Sequence, residues 1–338
     1  MGAGVTPAHP LLAPIQALHR RIRGDVVDAC ERAAMATLAD VVREDDGDTI
    51  YAIDRVAEHL LVEQIGRTLA TTQAPVLLVA EGMAGGEAVV PAGADPRRVR
   101  WVIIVDPIDG TRGLMYQKRP GWILTGVAAG PAPRTLADIE LAVQTEIPLV
   151  KQHLCDEVWA ARGQGASALR FNRVNGESRP LDLHASTATT IAHGFATISR
   201  FFPGNRAELA AIDDEVVEAV IGPPQPGKAQ AFEDQYISSG GQLYELMAGH
   251  DRLVADLRPL FERRRPGGAA LCCHPYDLCT ELIARELGVP VTDERGGRLA
   301  APLDVRSDVA WIGYANEAVR ALVEPHLQRA LRRRGLIA

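Results

Sequence analysis

The sequence predicts an α/β protein of two lobes, an α+β lobe over residues 1–183 and an α/β lobe over residues 184–338. Three observations carry this expectation. The chain has 338 residues, more than twice the roughly 150 residues of one ordinary domain. Short apolar runs bounded by Gly, Pro and acidic residues dominate as far as about residue 180, the mark of a sheet. Beyond that point strand-like and helix-like segments alternate, the mark of layered α/β structure.

Over residues 11–42 apolar side chains recur at helical spacing (Leu12, Ile15, Leu18, Ile22, Val26, Val27, Cys30, Ala34, Leu38, Val41). This predicts one long amphipathic helix covering a sheet, with Gly24 its weak point. The acidic stretch 44–48 reads as a loop. Asp54 reads as the N-cap of a second helix running to about Thr71, with Val56, Leu60, Leu61, Ile65 and Leu69 inside. Strands follow at 76–80 and 99–105, separated by the Gly/Ala/Pro-rich stretch 82–96. More strands are expected at 122–129, 139–147, 157–162 and 166–172, the last two joined as a hairpin by Gly163-Gln164-Gly165. The second half reads strand 190–199, helix 206–221, a Pro/Gly loop, helix 233–248, strand 252–257, helix 276–287, strand 311–315 and helix 317–334.

Lys and Arg total 36 against 43 Asp and Glu, a net charge of −7, which argues against a general nucleic-acid or anionic-membrane binder. The basic runs 263–265 and 332–334 read as solvated surface. No apolar run approaches the roughly 18 residues that span a bilayer, and residues 1–14 lack the basic start of a secretory signal, so a cytoplasmic protein without a membrane partner is expected. The five cysteines show no disulfide framework. Cys272, Cys273, His274 and Cys279 lack C-x2-C spacing and read as small buried thiols rather than a zinc site.

The chemistry-bearing stretch is 101–111, W-V-I-I-V-D-P-I-D-G-T: a buried strand ending in two carboxylates three residues apart. Pro107 fixes the turn that lets Asp109 swing back toward Asp106. With the backbone carbonyl of Ile108 they offer the hard oxygen donors that Mg²⁺ prefers. Gly110 permits close backbone approach, and the N–H groups after it can cradle an anion. Glu81 directly follows the strand 76–80, Asp277 begins the helix 276–287, and Asp48 and Asp54 flank Thr49-Ile50-Tyr51. An isolated acid at such a place also serves as a helix cap or surface charge, and Asp54 is read as a cap.

On these residues the chain resembles the inositol monophosphatase-like family, Mg²⁺-dependent, lithium-sensitive phosphatases related to fructose-1,6-bisphosphatase. Asp106-Pro107-Ile108-Asp109-Gly110-Thr111 matches the family signature D-P-[IL]-D-G-T in full. Residues 48–54 are similar to D-x-V-T-x-x-D, Glu81 stands at the family's E-E or E-x motif, and residues 276–288 look like W-D-x-A-A-G-x-L-I-x-x-A-G-G. The resemblance implies a layered α-β-α-β-α sandwich of the sugar phosphatase type, a site between the lobes, and a homodimer. It implies two to three Mg²⁺ ions: Glu81, Asp106 and the Ile108 carbonyl at the first, Asp106, Asp109 and Asp277 at the second, Asp48 through water at a third. Thr111 and Glu81 would orient and deprotonate a metal-bound water for in-line attack on phosphorus, with Asp109 in the catalytic set. Asp109, Gly110, Thr111, Arg112, Gly240, Gln242 and Asp277 are the expected substrate contacts.

The departures are as specific. Arg112-Gly113-Leu114 replaces the family's x-N-F, placing an arginine beside the phosphate pocket, where it pairs with an anion or serves structurally. Tyr276 replaces the W-D tryptophan, Leu278-Cys279-Thr280 is bulkier than Ala-Ala-Gly, Ala270 stands where a sugar-binding glutamate is usual, and residues 258–275 form an extra segment. Ser239-Gly240-Gly241-Gln242 resembles the family's G-T-A segment and reads equally as a capped helix start. The leading expectation is a phosphatase acting on a small sugar or cyclitol monophosphate. A 3′(2′),5′-bisphosphate nucleotidase is the alternative within enzymes, although no base-stacking platform is visible in the sequence. A non-catalytic metal or sugar-phosphate binder is the alternative outside them.

Overall fold

The computed structural model describes residues 9–32, 41–45, 48–51, 61, 64–65, 68–71, 74–83, 85–131, 134–264 and 271–338. Helix α1 (Leu12–Arg32) buries Ile15, Leu18, Ile22, Val26, Val27 and Cys30 along one face. It runs through Gly24, because packing of that face against a sheet outweighs the roughly 1 kcal/mol cost of a mid-helix glycine. The helix predicted to reach residue 42 does not: β1 (Val41–Asp45) pairs antiparallel with β2 (Asp48–Tyr51). The β-branched pair Val41-Val42 suits a strand. Of the expected acidic loop, Glu44 and Asp45 therefore end β1 and Asp48 begins β2, and residues 46–47 lie outside the described residues. Asp54 and the start of the predicted second helix lie outside the described residues, while Leu61, Ile65 and Leu69 are buried with α1.

Eight strands form the large sheet: β3 (Val76–Ala80), β4 (Glu87–Val90), β5 (Trp101–Asp109), β6 (Gly121–Ala129), β7 (Ile139–Ile147), β8 (Leu154–Ala161), β9 (Ala166–Asn172) and β10 (Ser178–Pro180), in the order β10-β9-β8-β7-β6-β5-β3-β4. Only β3 and β5 pair in parallel. The edge strands β4 and β10 escaped prediction, being short and set among Gly, Pro and polar residues. The small sheet has the order β11-β12-β14-β13, from β11 (Phe195–Ile198), β12 (Asp251–Asp256), β13 (Val291–Thr292) and β14 (Trp311–Tyr314).

The remaining helices are α2 (Thr111–Met115), α3 (Arg206–Ile221), α4 (Ser239–Met247), α5 (Arg258–Arg264), α6 (Glu281–Glu286) and α7 (Glu317–Arg333). The helix expected over 233–248 starts only at Ser239, where Ser238 Oγ accepts the Gly241 N–H at 2.8 Å. The helix expected over 276–287 divides into a 3₁₀ turn, Pro275–Leu278, and α6. Helix α5 occupies the start of the extra segment, whose residues 265–270, Ala270 included, lie outside the described residues.

Strand alternation sorts the core into layers. In β5, Ile103 and Val105 pack toward α1, while Val102 and Ile104 pack with Leu243 of α4 and Leu282 of α6. In β12, Val254 joins that same middle layer, whereas Leu253 and Ala255 share a core with Leu209 and Ile212 of α3 and with Val319 of α7. The architecture is the expected α-β-α-β-α stack. Among the described residues no helix is long and apolar enough to cross a membrane.

Candidate active site

The parallel pair β3 and β5 sets the site, because Ala80 is in register with Val105. The next residues, Glu81 in the turn after β3 and Asp106 still within β5, therefore come at the same end of this strand pair. The pairing of β5 with β6 slips between Asp106 and Asp109, which accommodates the Pro107 turn and brings the second carboxylate back. Ile108 N donates to Asp106 Oδ1 at 3.0 Å, and Thr111 Oγ1 donates to the Ile108 carbonyl at 2.8 Å. Gly110 then adopts a left-handed backbone, φ 84°, and α2 begins.

Asp277 arrives from the 3₁₀ turn, its Oδ2 accepting the His274 N–H at 2.6 Å. It serves as a cap and still faces the other acids. Ligand oxygens of Asp106, Asp109 and Asp277 lie within 4.8 Å of one another, with Asp106 only 2% and Asp109 6% exposed. Burial, and then the neighbouring Asp277 carboxylate, push the Asp109 carboxyl well above the usual carboxylate range. Opposing them, Ser238 Oγ donates to Asp109 Oδ2 at 2.8 Å and Gly240 N at 2.6 Å.

These donors fit a divalent cation. They are all oxygen, they crowd one another unless a positive charge sits among them, and they suit a hard ion such as Mg²⁺. Among the described residues they are the only group of three His, Cys, Asp or Glu placed to hold a metal. Cys272 and Cys273 line the same cavity, but burial pushes their thiols up, that of Cys272 to about 12, away from the thiolate form that binds zinc.

Glu81, Asp106, Ile108, Asp109, Gly110, Thr111, Arg112 and Asp277 all line one cavity. Gly240 and Gln242 are not among its lining residues. Gly240 lies behind Asp109, and Gln242 Nε2 donates to Ser199 Oγ at 3.0 Å. Gln144 of β7 fixes this arrangement from beneath, donating to the Gly240 carbonyl at 2.8 Å and accepting from Thr280 Oγ1 at 2.9 Å. Asp48 begins β2, and its side chain lies outside the described residues.

Sequence reasoning missed the aromatic part of the lining, Phe201 and Phe202 with Ile237 and Leu271, and the contact that His274 and Tyr276 make with the cavity, which Ser238 and Arg258 also line. The two phenylalanine rings meet edge to face at 4.9 Å and 83°. The Arg112 guanidinium lies 5.1 Å from the Phe202 ring centre, and that of Arg258 lies 4.2 Å from the Phe201 centre. Arg258 is committed to Asp256, with contacts of 2.9 and 2.5 Å, and to the Leu271 carbonyl at 2.6 Å. The available signal was a Phe-Phe pair in a chain with only six phenylalanines. The result is a cavity lined by acidic groups and by an aromatic pair carrying guanidinium groups.

No protein-family model matches the chain, and no curated protein matches its sequence. Its structure is similar to crystal structures of Leishmania major fructose-1,6-bisphosphatase. For the holo form the TM-score is 0.66 at 13% identity, covering 96% of this chain and 93% of the other. For the T-state the TM-score is 0.63 at 12% identity, covering 98% and 96%. The extragenic suppressor protein suhB from Bartonella henselae has a TM-score of 0.64 at 15% identity, covering 95% and 99%. The chain thus has the fold of these proteins along almost its whole length.

Proposed function

We propose that the protein is a Mg²⁺-dependent, lithium-sensitive phosphatase that hydrolyses a small sugar or cyclitol monophosphate by in-line attack of water. The observation that carries this reading is the convergence of Asp106, Asp109 and Asp277 within 4.8 Å, beside Glu81 and Thr111 in one cavity. The fold shared with fructose-1,6-bisphosphatase supports it. Glu81, Asp106 and the Ile108 carbonyl would hold one ion, Asp106, Asp109 and Asp277 a second, and Asp48 would assist a third. Bound Mg²⁺ supplies Lewis-acid polarisation of water and of phosphate oxygens. Glu81 accepts the proton of the attacking water, and the Thr111 hydroxyl orients that water. Arg112 and the backbone N–H groups from Gly110 onward hold the phosphoryl oxygens. A cytoplasmic homodimer is the setting that accompanies this reading.

A 3′(2′),5′-bisphosphate nucleotidase is the second reading. The Phe201–Phe202 wall favours it, as a planar base packs on aromatic side chains and Arg112 stands beside the rings for another phosphate. The test is phosphate release from inositol, hexose, pentose and nucleoside bisphosphate esters with Mg²⁺, with EDTA and with added Li⁺. Mg²⁺-dependent, Li⁺-inhibited turnover of a sugar or cyclitol ester is the expected result. Turnover of the bisphosphates alone selects the second reading. Mg²⁺ binding with no turnover of any ester would leave a metal or sugar-phosphate binder in place of an enzyme.

A further inference from the structure

We infer that Tyr276 and His274 form a positioning device for Glu81, in which the Tyr276 hydroxyl orients the Glu81 carboxylate within the metal site. Glu81 sits in the turn after β3, outside the ladder that fixes Asp106, so its direction depends on side-chain partners. The Tyr276 hydroxyl lies 3.3 Å from Glu81 Oε1 and 3.0 Å from His274 Nδ1. A phenol has one proton to give. His274 Nδ1 also faces the Asp277 backbone N–H and lies 3.7 Å from Asp277 Oδ2, so the histidine steers the phenol proton to Glu81 only in the tautomer that carries its proton on Nδ1.

The device is itself held in place. The His274 and Tyr276 rings stack at 5.2 Å and 12°. The His274 backbone N–H is fixed on Asp277, and its Nε2 lies 3.9 Å from Asp308 Oδ1. Tyr276 is 5% exposed, so packing holds its ring and with it the direction of the hydroxyl. Fixing one oxygen of Glu81 fixes the direction of the other toward the cation and the attacking water. Partners that orient a metal-ligating side chain ordinarily alter affinity or activity by about 10- to 100-fold.

For turnover the inference rests on the phosphatase reading; for cation binding it rests on the acidic site alone. The test is therefore Mn²⁺ binding, read from the spectrum of free Mn²⁺, to the wild-type protein and to Tyr276→Phe, with phosphate release measured in parallel. Tyr276→Phe keeps the ring and its stacking. The expected results are a loss of about tenfold in the affinity of one Mn²⁺ site, a similar loss in kcat, and KM within twofold of wild type. His274→Gln should cost several-fold in Mn²⁺ affinity alone and less than twofold when added to Tyr276→Phe, because it acts through the hydroxyl. Mn²⁺ affinity within twofold of wild type in Tyr276→Phe overturns the inference whatever the activity. An equal His274→Gln loss in both backgrounds overturns the steering role of the histidine. Weakened Mn²⁺ binding by a protein that hydrolyses no ester supports the device and removes the phosphatase reading.

Discussion

Asp109 carries two opposed demands in one carboxyl group. Burial and the nearby Asp277 disfavour its charge, whereas the hydrogen bonds from Ser238 and Gly240 favour it. A bound cation would resolve the conflict. Asp109→Asn keeps the volume and removes the charge, so it should lower turnover by at least about 100-fold, more than the loss usual for a residue one shell out. In EDTA at neutral pH the same variant should melt no lower than wild type, because the crowded charge is gone. Phosphate release and a thermal melt decide the two halves separately. Gly240→Ala probes the same contact from behind: a Cβ there would meet Leu124 Cδ2 at 2.6 Å and Asp109 Oδ2 at 2.9 Å. It should cost about 1–3 kcal/mol of stability and weaken Mn²⁺ binding, with denaturant unfolding and a metal titration as the checks.

At the scale of elements, α1 is tied to the large sheet by His19, which is fully buried between Thr145 Oγ1 at 2.9 Å and Thr125 Oγ1 at 2.7 Å. Burial, then Arg23 and Arg20, lower its pKa from 6.5 to about 3. The unfolded chain therefore binds the proton more readily than the folded one between those values. Stability should be full above pH 6.5 and fall as pH drops, by up to about 1.4 kcal/mol per pH unit. Glu146, raised to about 7, acts with the opposite sign, favouring the fold at lower pH. Comparing wild type with His19→Gln by urea unfolding from pH 4 to 7 isolates the histidine, and parallel stability curves would disprove its role. Elements whose signal is local were legible in this sequence: β3, β7 and β9 begin and end where the apolar runs do. The candidate carboxylates Asp106 and Asp109 were legible for the same reason, both lying within the six contiguous residues 106–111. What the sequence hid depends on distant partners: β10, held only by β9, the wall built by Phe201 and Phe202, and Tyr276 meeting Glu81 across nearly two hundred residues.

The whole molecule joins its two sheets through one middle layer, in which Leu124 and Ile104 of the large sheet share a core with Val254 and Trp311 of the small one. The candidate metal site spans the same layer, with Asp106 and Asp109 issuing from the large sheet and Asp277 from the turn before α6. A cation held there adds a link between parts already joined by apolar packing, so unfolding should remain a single transition with or without metal. Its stabilisation follows from mass action: Mg²⁺ at 100 times its dissociation constant should add about 2.7 kcal/mol. Calorimetric melts in EDTA and in rising Mg²⁺ should show one peak moving upward. In Asp277→Asn that movement should shrink, because the ion proposed between Asp106, Asp109 and Asp277 loses a ligand, while the EDTA melt is retained. Two separate peaks in EDTA would mean that the middle layer does not couple the sheets and that the cation supplies the coupling. A shift undiminished in Asp277→Asn would place the bound cation away from these carboxylates, and the proposed chemistry with it.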